Sequence, residues 1–443
     1  MQTKVVKFGG SSLADAQHFA QVAKIIKADP ARKYVVPSAP GKRCKDDTKV
    51  TDMLYTCYEM VKRHEDIDEY YQQICDRYNG IIKELGLDFD ISGELEYVKN
   101  ALMHRSGRDY AASRGEYLNG LILAKYLGFA FIDAENVIFF RENGSFDAEK
   151  TNEAMAEELA KYQHAVIPGF YGVMPNGTIK TFSRGGSDIT GSIVARAAQA
   201  DLYENWTDVS GFMMADPRII DNPSSIETIT YRELRELSYM GADVLHEETV
   251  FPVRQKSIPL YIKNTNDMNA RGTLIMESFD EEDENKSSHF ITGISGKKNF
   301  SIITIAKSRM NDEIGYVRRA LEVFERFEIP IEHIPSSIDS FSVVIASAHI
   351  ENRMHELIAA LNASLAPDTI KIDNEISLIA IVGRKLQSNI GIAGKIFTAL
   401  GENNINIKMI EQGADEINII IGVDDRNFKD TIKVLYNLSE VNE

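Results

Sequence analysis

Lys7-Phe8-Gly9-Gly10-Ser11-Ser12 follows the apolar pair Val5-Val6 and runs into helical sequence from Ala16. Strand, glycine pair, hydroxyls and helix form an arrangement suited to a phosphate. Glycines let the backbone approach an anion closely, and a helix N-terminus offers free N–H groups and partial positive charge. Lys7 adds a full charge at the strand end. The stretch is neither a Gly-x-x-x-x-Gly-Lys-Ser/Thr loop nor a Gly-x-Gly-x-x-Gly fingerprint. Alone, it also reads as a plain tight turn between strand and helix. A second pair, Ser183-Arg184-Gly185-Gly186-Ser187-Asp188, again lies between a predicted strand (178–181) and a predicted helix (188–200), which Ser187 or Asp188 is placed to cap. Two such turns, each carrying a cation (Lys7 and Arg184), are expected to face each other across a sheet edge. They would cradle a polyphosphate on one side and a small anionic acceptor on the other.

The surroundings of these turns predict an α/β fold. Residues 1–40 read as strand, helix, strand, and helix-then-strand patterns recur at 116–140 and 150–170, with a further strand at 202–206; parallel strands joined by helices follow. Residues 52–105 read as a polar helical layer. The chain has 443 residues, enough for two or three domains, and a formal charge of 49 − 66 = −17. That balance argues against nucleic-acid binding and requires an anion site to gather its own cations. No apolar run is long enough to span a membrane, and no secretory h-region opens the sequence. Cys44, Cys57 and Cys75 lack metal-like spacing, so a cytoplasmic location is expected.

An acidic run at 278–289 reads as a linker after a catalytic domain at 1–277. Beyond it, strands at 301–306, 331–334, 341–346 and 369–372 with helices at 313–327 and 351–363 make one βαββαβ unit. A second unit begins at 376–382 and ends one strand short. Phe290–Ser295 supplies the missing strand, so the first unit (299–374) reads as inserted into the second (290–298 and 375–443). This repeat resembles a pair of ACT modules, small domains that bind amino acids; two ligand-free ferredoxin-like modules are the alternative.

Further polar residues sit at element junctions. Ser113-Arg114-Gly115-Glu116 is expected to open a helix at 116–127, with Glu116 either complementing the helix dipole or pairing with a substrate ammonium. Ser38 and Thr51 stand at loop–helix junctions. Asn205-Trp206-Thr207-Asp208 ends a strand, where ligands bind in open α/β sheets, and Asp216-Pro217-Arg218 follows.

Taken in order, the two glycine motifs, Gly115-Glu116, Trp206-Thr207-Asp208-Val209, Asp216-Pro217-Arg218, Gly241-Ala242 and Val244-Leu245-His246 resemble aspartate kinase over essentially the whole chain. No homoserine dehydrogenase region follows, so the likeness is to the monofunctional form. The resemblance implies an amino-acid-kinase sheet sandwiched by helices and phosphorylation of the L-aspartate β-carboxylate by ATP. Mg2+ would be held mainly by phosphates and water, with no protein metal site. It implies that Lys7 bridges the β- and γ-phosphates, Asp188 orients Lys7 and the metal's waters, and Gly9, Gly10 and Ser11 line the phosphates. Arg184 would take the aspartate α-carboxylate and Glu116 its ammonium, with Ser38, Thr51 and Ser187 completing the acceptor pocket. Thr207, Asp208, Met213, Arg218, Asp243 and Val244 would lie along the nucleotide. Three positions depart from the family pattern: Ser183, Met213 and Asp243, the last removing a cation and shifting the phosphate load to Arg218 and Lys256.

The resemblance also implies feedback by an amino acid bound at Met310, Gly315, Tyr316 and Val317 and at the strand carrying Glu332, Ser336 and Ser337. Glu332 suits a cationic effector, so lysine is expected ahead of threonine, although Ser336-Ser337-Ile338 departs from the usual triplet. A homodimer or a dimer of dimers through the ACT modules is expected. Another acyl kinase of the same fold, or a catalytically silent amino-acid sensor, is the alternative.

Overall fold

The computed structural model describes residues 2–104, 106–183, 185–242, 245, 247–279, 290–386, 390–413 and 417–440. The chain divides into two compact units, Met1–Phe212 with Ser225–Tyr231 and Val244–Phe279, and Met213–Ser224 with Arg232–Asp243 and Asp280–Glu443. Most of the predicted linker, residues 280–289, lies outside the described residues.

The first unit carries β1 (Lys4–Phe8), β2 (Arg32–Pro37), β3 (Ala130–Phe131), β4 (Ala165–Val166), β5 (Tyr171–Val173), β6 (Ile179–Thr181), β7 (Leu202–Thr207), β8 (Thr228–Thr230), β9 (Leu260–Asn264) and β10 (Thr273–Met276). Among the described residues, eight of these form one sheet in the order β3-β4-β2-β1-β7-β9-β10-β8, parallel except where β9 meets β10. β5 and β6 pair as a hairpin. Val5, Val6 and Phe8 are all fully buried on β1, as a parallel sheet covered on both faces requires. The covering helices are α1 (Ala16–Lys27), α2 (Val50–Lys62), α3 (Asp68–Glu84), α4 (Ser92–Met103), α5 (Arg108–Leu127), α6 (Ala148–Leu159) and α7 (Gly186–Ala197), with α9 (Glu247–Arg254); α8 (Tyr231–Tyr239) belongs, beyond its first residue, to the second unit. Side chains from α1 to α5 join β1 and β2 in one core that includes Phe19, Leu54, Tyr78 and Leu118.

α5 corrects the sequence reading. It begins at Arg108, after Gly107 at φ 97°, so Glu116 stands in its third turn rather than at its start. Gly115 suggested a helix boundary, but its role is closeness. A Cβ there would stand 2.8 Å from the Ala39 Cβ.

The second unit carries β11 (Gly293–Ala306), β12 (Ser340–Ala346), β13 (Thr369–Val382), β14 (Ile407–Glu411) and β15 (Asn418–Asp424), with α10 (Tyr316–Arg326), α11 (Met354–Leu365), α12 (Ile392–Glu402) and α13 (Phe428–Glu440). The two βαββαβ units share one antiparallel sheet, β12-β11-β13-β15-β14, because β11 and β13 each run through both. The strands predicted at 369–372 and 376–382 are therefore one. The ladder between β11 and β13 shifts register at Lys297/Phe300 and Phe300/Ile302, where Asn299 (φ 66°) and Glu375 (φ 57°) take left-handed backbone. The strand predicted at 331–334 is reduced to bridges His333–Val344 and Ser336–Phe341. Pro330 and Pro335 flank it, and a proline has no N–H for a ladder. Among the described residues, no helix is long and apolar enough to cross a membrane.

Candidate active site

β1 and β7 are parallel neighbours in a register that sets Lys7 beside Asn205. Side chains at paired positions share a face of the sheet, and α7 packs on these strands with Asp188 in its first turn. The Lys7 Nζ stands 2.6 Å from the Asp188 Oδ1. It also donates to the Asn205 Oδ1 at 3.3 Å, while the Asn205 Nδ2 donates to the Asp188 Oδ1 at 2.8 Å. Lys7 is 7% exposed, so its charge is compensated largely by these partners rather than by water. Neither Ser187 nor Asp188 caps α7. The N-cap is Gly185 at φ 55°, with no side-chain cap, because the Asp188 carboxylate turns to Lys7 and Asn205.

The two glycine turns close differently. At the first, the Gly9 amide donates to the Trp206 carbonyl at 3.1 Å, and Ser12 and Leu13 donate back to Gly9 and Gly10. A Cβ on Gly10 would stand 2.8 Å from the Ala39 oxygen, and the Gly41 amide donates to the Gly10 carbonyl at 2.8 Å. The buried Arg77 braces this frame, donating to the Gly41 oxygen at 2.6 Å, to Ala14 at 3.2 Å and to Asp47 at 2.8 Å. Hydrogen bonds from Arg43 and Arg77 hold the Asp47 carboxyl far below the usual range, outweighing its partial burial. At the second turn the obstacles are side chains. A Cβ on Gly186 would meet the Phe170 ring at 2.2 Å and one on Gly185 the Thr249 methyl at 2.6 Å.

Glu116 is buried, 5% exposed. Burial pushes its carboxyl up to about 8, against the partial relief of a hydrogen bond from the Ala39 amide. Among the described residues its Oε2 has no hydrogen-bond partner. One turn further along α5, the Asn119 Nδ2 donates to the Ser38 carbonyl at 2.7 Å and so fixes the loop after β2.

Lys7, Ser38, Thr51, Glu116, Gly185, Gly186, Ser187 and Asp188 line one cavity of about 300 Å³, together with Lys49, Asp52 and Phe170. The sequence reading missed those last three and Asn205. Lys49, two residues before Thr51 at the start of α2, had a signal in its charge. Phe170, whose backbone is left-handed at φ 83°, had none.

Other described residues of the first unit that the sequence pointed to do not line this cavity. Gly9, Gly10 and Ser11 form the turn behind Lys7. Thr207 donates to the exposed Asp208 carboxylate at 3.2 Å. Met213 and Arg218 belong to the second unit, where the Arg218 guanidinium grips Asp216 at 2.7 Å. Arg184, Asp243 and Val244 lie outside the described residues. In the second unit, Gly315 (φ 78°) caps α10, and Met310 and Tyr316 are buried in the first module's core, with Val317 packed against it. The Glu332 Oε2 accepts from the Tyr239 hydroxyl at 2.5 Å, and Ser336 and Ser337 are exposed at a turn in which the Ser337 amide donates to Ser340.

Residues 2–264 match the amino acid kinase family, and residues 379–438 match an ACT domain. Aspartokinase 3 of Bacillus subtilis is 35% identical over 98% of both chains. The solved aspartate kinase of Clostridium acetobutylicum is 49% identical, covers 99% of this chain and 100% of its own, and superposes with a TM-score of 0.89. Aspartokinase III of E. coli, solved with aspartate and ADP, covers 99% of each chain at a TM-score of 0.72, but at 23% identity that likeness is one of fold. The chain belongs to the amino acid kinase family and, within it, to the aspartokinases, phosphotransferases that carry ACT domains for allosteric regulation.

Proposed function

We propose that this chain transfers the γ-phosphoryl group of ATP to the β-carboxylate of L-aspartate in the cavity between Lys7 and Glu116, the first step toward lysine, threonine and methionine. A carboxylate oxygen forms the new P–O bond, the bond between the γ-phosphorus and the β–γ bridging oxygen breaks, and ADP leaves. The acceptor is already ionised at neutral pH, so no general base is required. The difficulty lies in pressing one anion against another, and cations with positioned N–H groups meet it. Lys7 would exchange Asp188 for the β- and γ-phosphates. One cation about 4 Å from a phosphate, at an effective dielectric near 20, contributes roughly 4 kcal/mol before desolvation. Gly9, Gly10 and Ser11 would shape the backbone around the phosphates, and Thr207, Asp208, Met213, Arg218, Asp243 and Val244 the rest of the nucleotide.

The observation that carries this reading is the unpartnered Glu116 Oε2 in the same cavity as the Lys7–Asp188 pair. A buried carboxylate without a partner is costly unless a cation arrives, and the aspartate ammonium is that cation. Ser38, Thr51 and Ser187 would assist it, with Arg184 on the α-carboxylate. Among the described residues no three His, Cys, Asp or Glu side chains converge as a metal site. A Mg2+ bound with the nucleotide would be held mainly by phosphates and water with Asp188 orienting the waters; when bound, the ion neutralises phosphate charge.

For regulation we favour lysine over threonine, bound at the start of α10 through backbone groups at Met310, Gly315, Tyr316 and Val317. The support is Glu332, whose carboxylate would take the side-chain ammonium in place of the Tyr239 hydroxyl; Ser336 and Ser337 lie further along the same edge. Pairing through the ACT modules would make a dimer or a dimer of dimers, and three cysteines free of disulfides suit the cytoplasm.

An ADP-release assay with aspartate, with glutamate and without an acceptor tests the reaction. ADP formation that depends on aspartate alone is expected, and equal rates with glutamate or with no acceptor would overturn the assignment. Adding lysine up to millimolar concentrations should inhibit, and Glu332→Gln should relieve it; unchanged activity removes lysine as the effector.

A further inference from the structure

Asn205 occupies a position where a buried parallel strand ordinarily carries Val or Ile. It is 3% exposed, on β7, directly across from Lys7 on β1. A buried amide is costly unless both of its ends are bonded. Both ends of this one are, and its bonds run to the two groups that handle phosphate charge. Oδ1 accepts from the Lys7 Nζ at 3.3 Å and Nδ2 donates to the Asp188 Oδ1 at 2.8 Å. No cap, turn or sheet-edge carbonyl takes part in these contacts.

We propose that Asn205 is a positioning residue that holds Asp188 in place while Lys7 moves between this carboxylate and the phosphates. The inference rests on the roles given to Lys7 and Asp188 above. In the free enzyme Lys7 is bonded to Asp188, so the arrival of a nucleotide draws the ammonium away and leaves the carboxylate without its cation. The Nδ2 bond persists through that exchange. It keeps Asp188 in one orientation, and the Oδ1 gives the ammonium a second contact that fixes the line along which it travels. An aliphatic residue of the same size would pack as well and do neither.

The test compares Asn205→Leu, which removes both bonds, with Asn205→Asp, which keeps the size and the acceptor but loses the donor to Asp188. Both variants should lose about tenfold to a hundredfold in kcat, the scale of a small misplacement of reacting groups, with KM for ATP and for aspartate within about threefold. The melting temperature of Asn205→Leu should fall little, since Lys7 keeps its 2.6 Å pairing with Asp188 and that carboxylate can turn to water for the lost bond. Asp188, at 23% side-chain exposure, does reach water. Placed in an Asp188→Asn background, Asn205→Leu should cost less than about twofold further in kcat, because it acts through that carboxylate. A kcat within twofold of the parent for both variants overturns the inference, as does an equal fractional loss in both backgrounds. Lys7→Ala separates the two levels of the account. If it is inactive while the Asn205 variants are active, the positioning role alone fails; if it turns over normally, the reading of the whole site fails.

Discussion

The two ends of the cavity treat buried charge in opposite ways. At the Lys7 end, the ammonium, the Asp188 carboxylate and the Asn205 amide compensate one another within 3.3 Å. At the Glu116 end, a carboxyl with almost no solvent contact is left with an oxygen that nothing in the described protein meets. On the proposed reaction, the first arrangement exchanges partners when the nucleotide arrives. On the same proposal, the second is neutral without its ligand and gains its charge on binding it. Interactions that change during the reaction govern turnover, and interactions made on binding govern affinity. The two ends should therefore separate in kinetics.

The largest effect should come from the compensated end. Lys7→Ala should lower kcat by about a thousandfold or more, since it removes the cation proposed to meet the transferring group, with ATP binding retained. Single-turnover rates and a nucleotide-binding titration check both halves; near-full turnover would break the comparison. At the open end, Glu116→Gln should raise KM for aspartate by about a hundredfold, the usual scale for losing one partner of a buried ion pair, and should change kcat much less. A pure kcat loss in that variant would mean that the two ends do not divide as described. The smallest catalytic effect should come from the frame behind the first turn. Arg77→Met orphans two carbonyls and leaves Asp47 to Arg43 alone, so it should destabilise the protein by about 3 kcal/mol in a denaturant titration while changing kcat only severalfold.

How much of this could be read from the residues follows the same division. The glycine turns and Lys7 are local patterns, and they stand in the sequence as strand, Gly-Gly and helix. Glu116 was visible as a carboxylate next to a glycine, but its place in the third turn of α5 depends on Gly107 and on the approach of Ala39. Asn205 gave no comparable signal. Its place beside Lys7 comes from the register of β1 and β7, and no local spacing encodes that. The fusion of the two ACT modules into one sheet was hidden for a related reason. The chain looked broken at Asn374-Glu375, whereas the structure accommodates that break as an irregularity inside a continuous strand pair.

The pH dependence of acceptor binding tests the open end most directly. With its carboxyl at about 8, above the ordinary carboxylate value, Glu116 is mostly protonated at pH 7 in the free enzyme. An ammonium that pairs with it must displace that proton. Affinity for aspartate should therefore rise with pH, by up to about tenfold per unit, until roughly pH 8, and then level. Calorimetric titration of aspartate at pH 7, repeated in buffers of different ionisation enthalpy, reports the protons exchanged. Release of close to one proton by the parent enzyme and of none by Glu116→Gln is the result expected, whereas binding without proton release would contradict the picture of a buried carboxylate waiting for its cation.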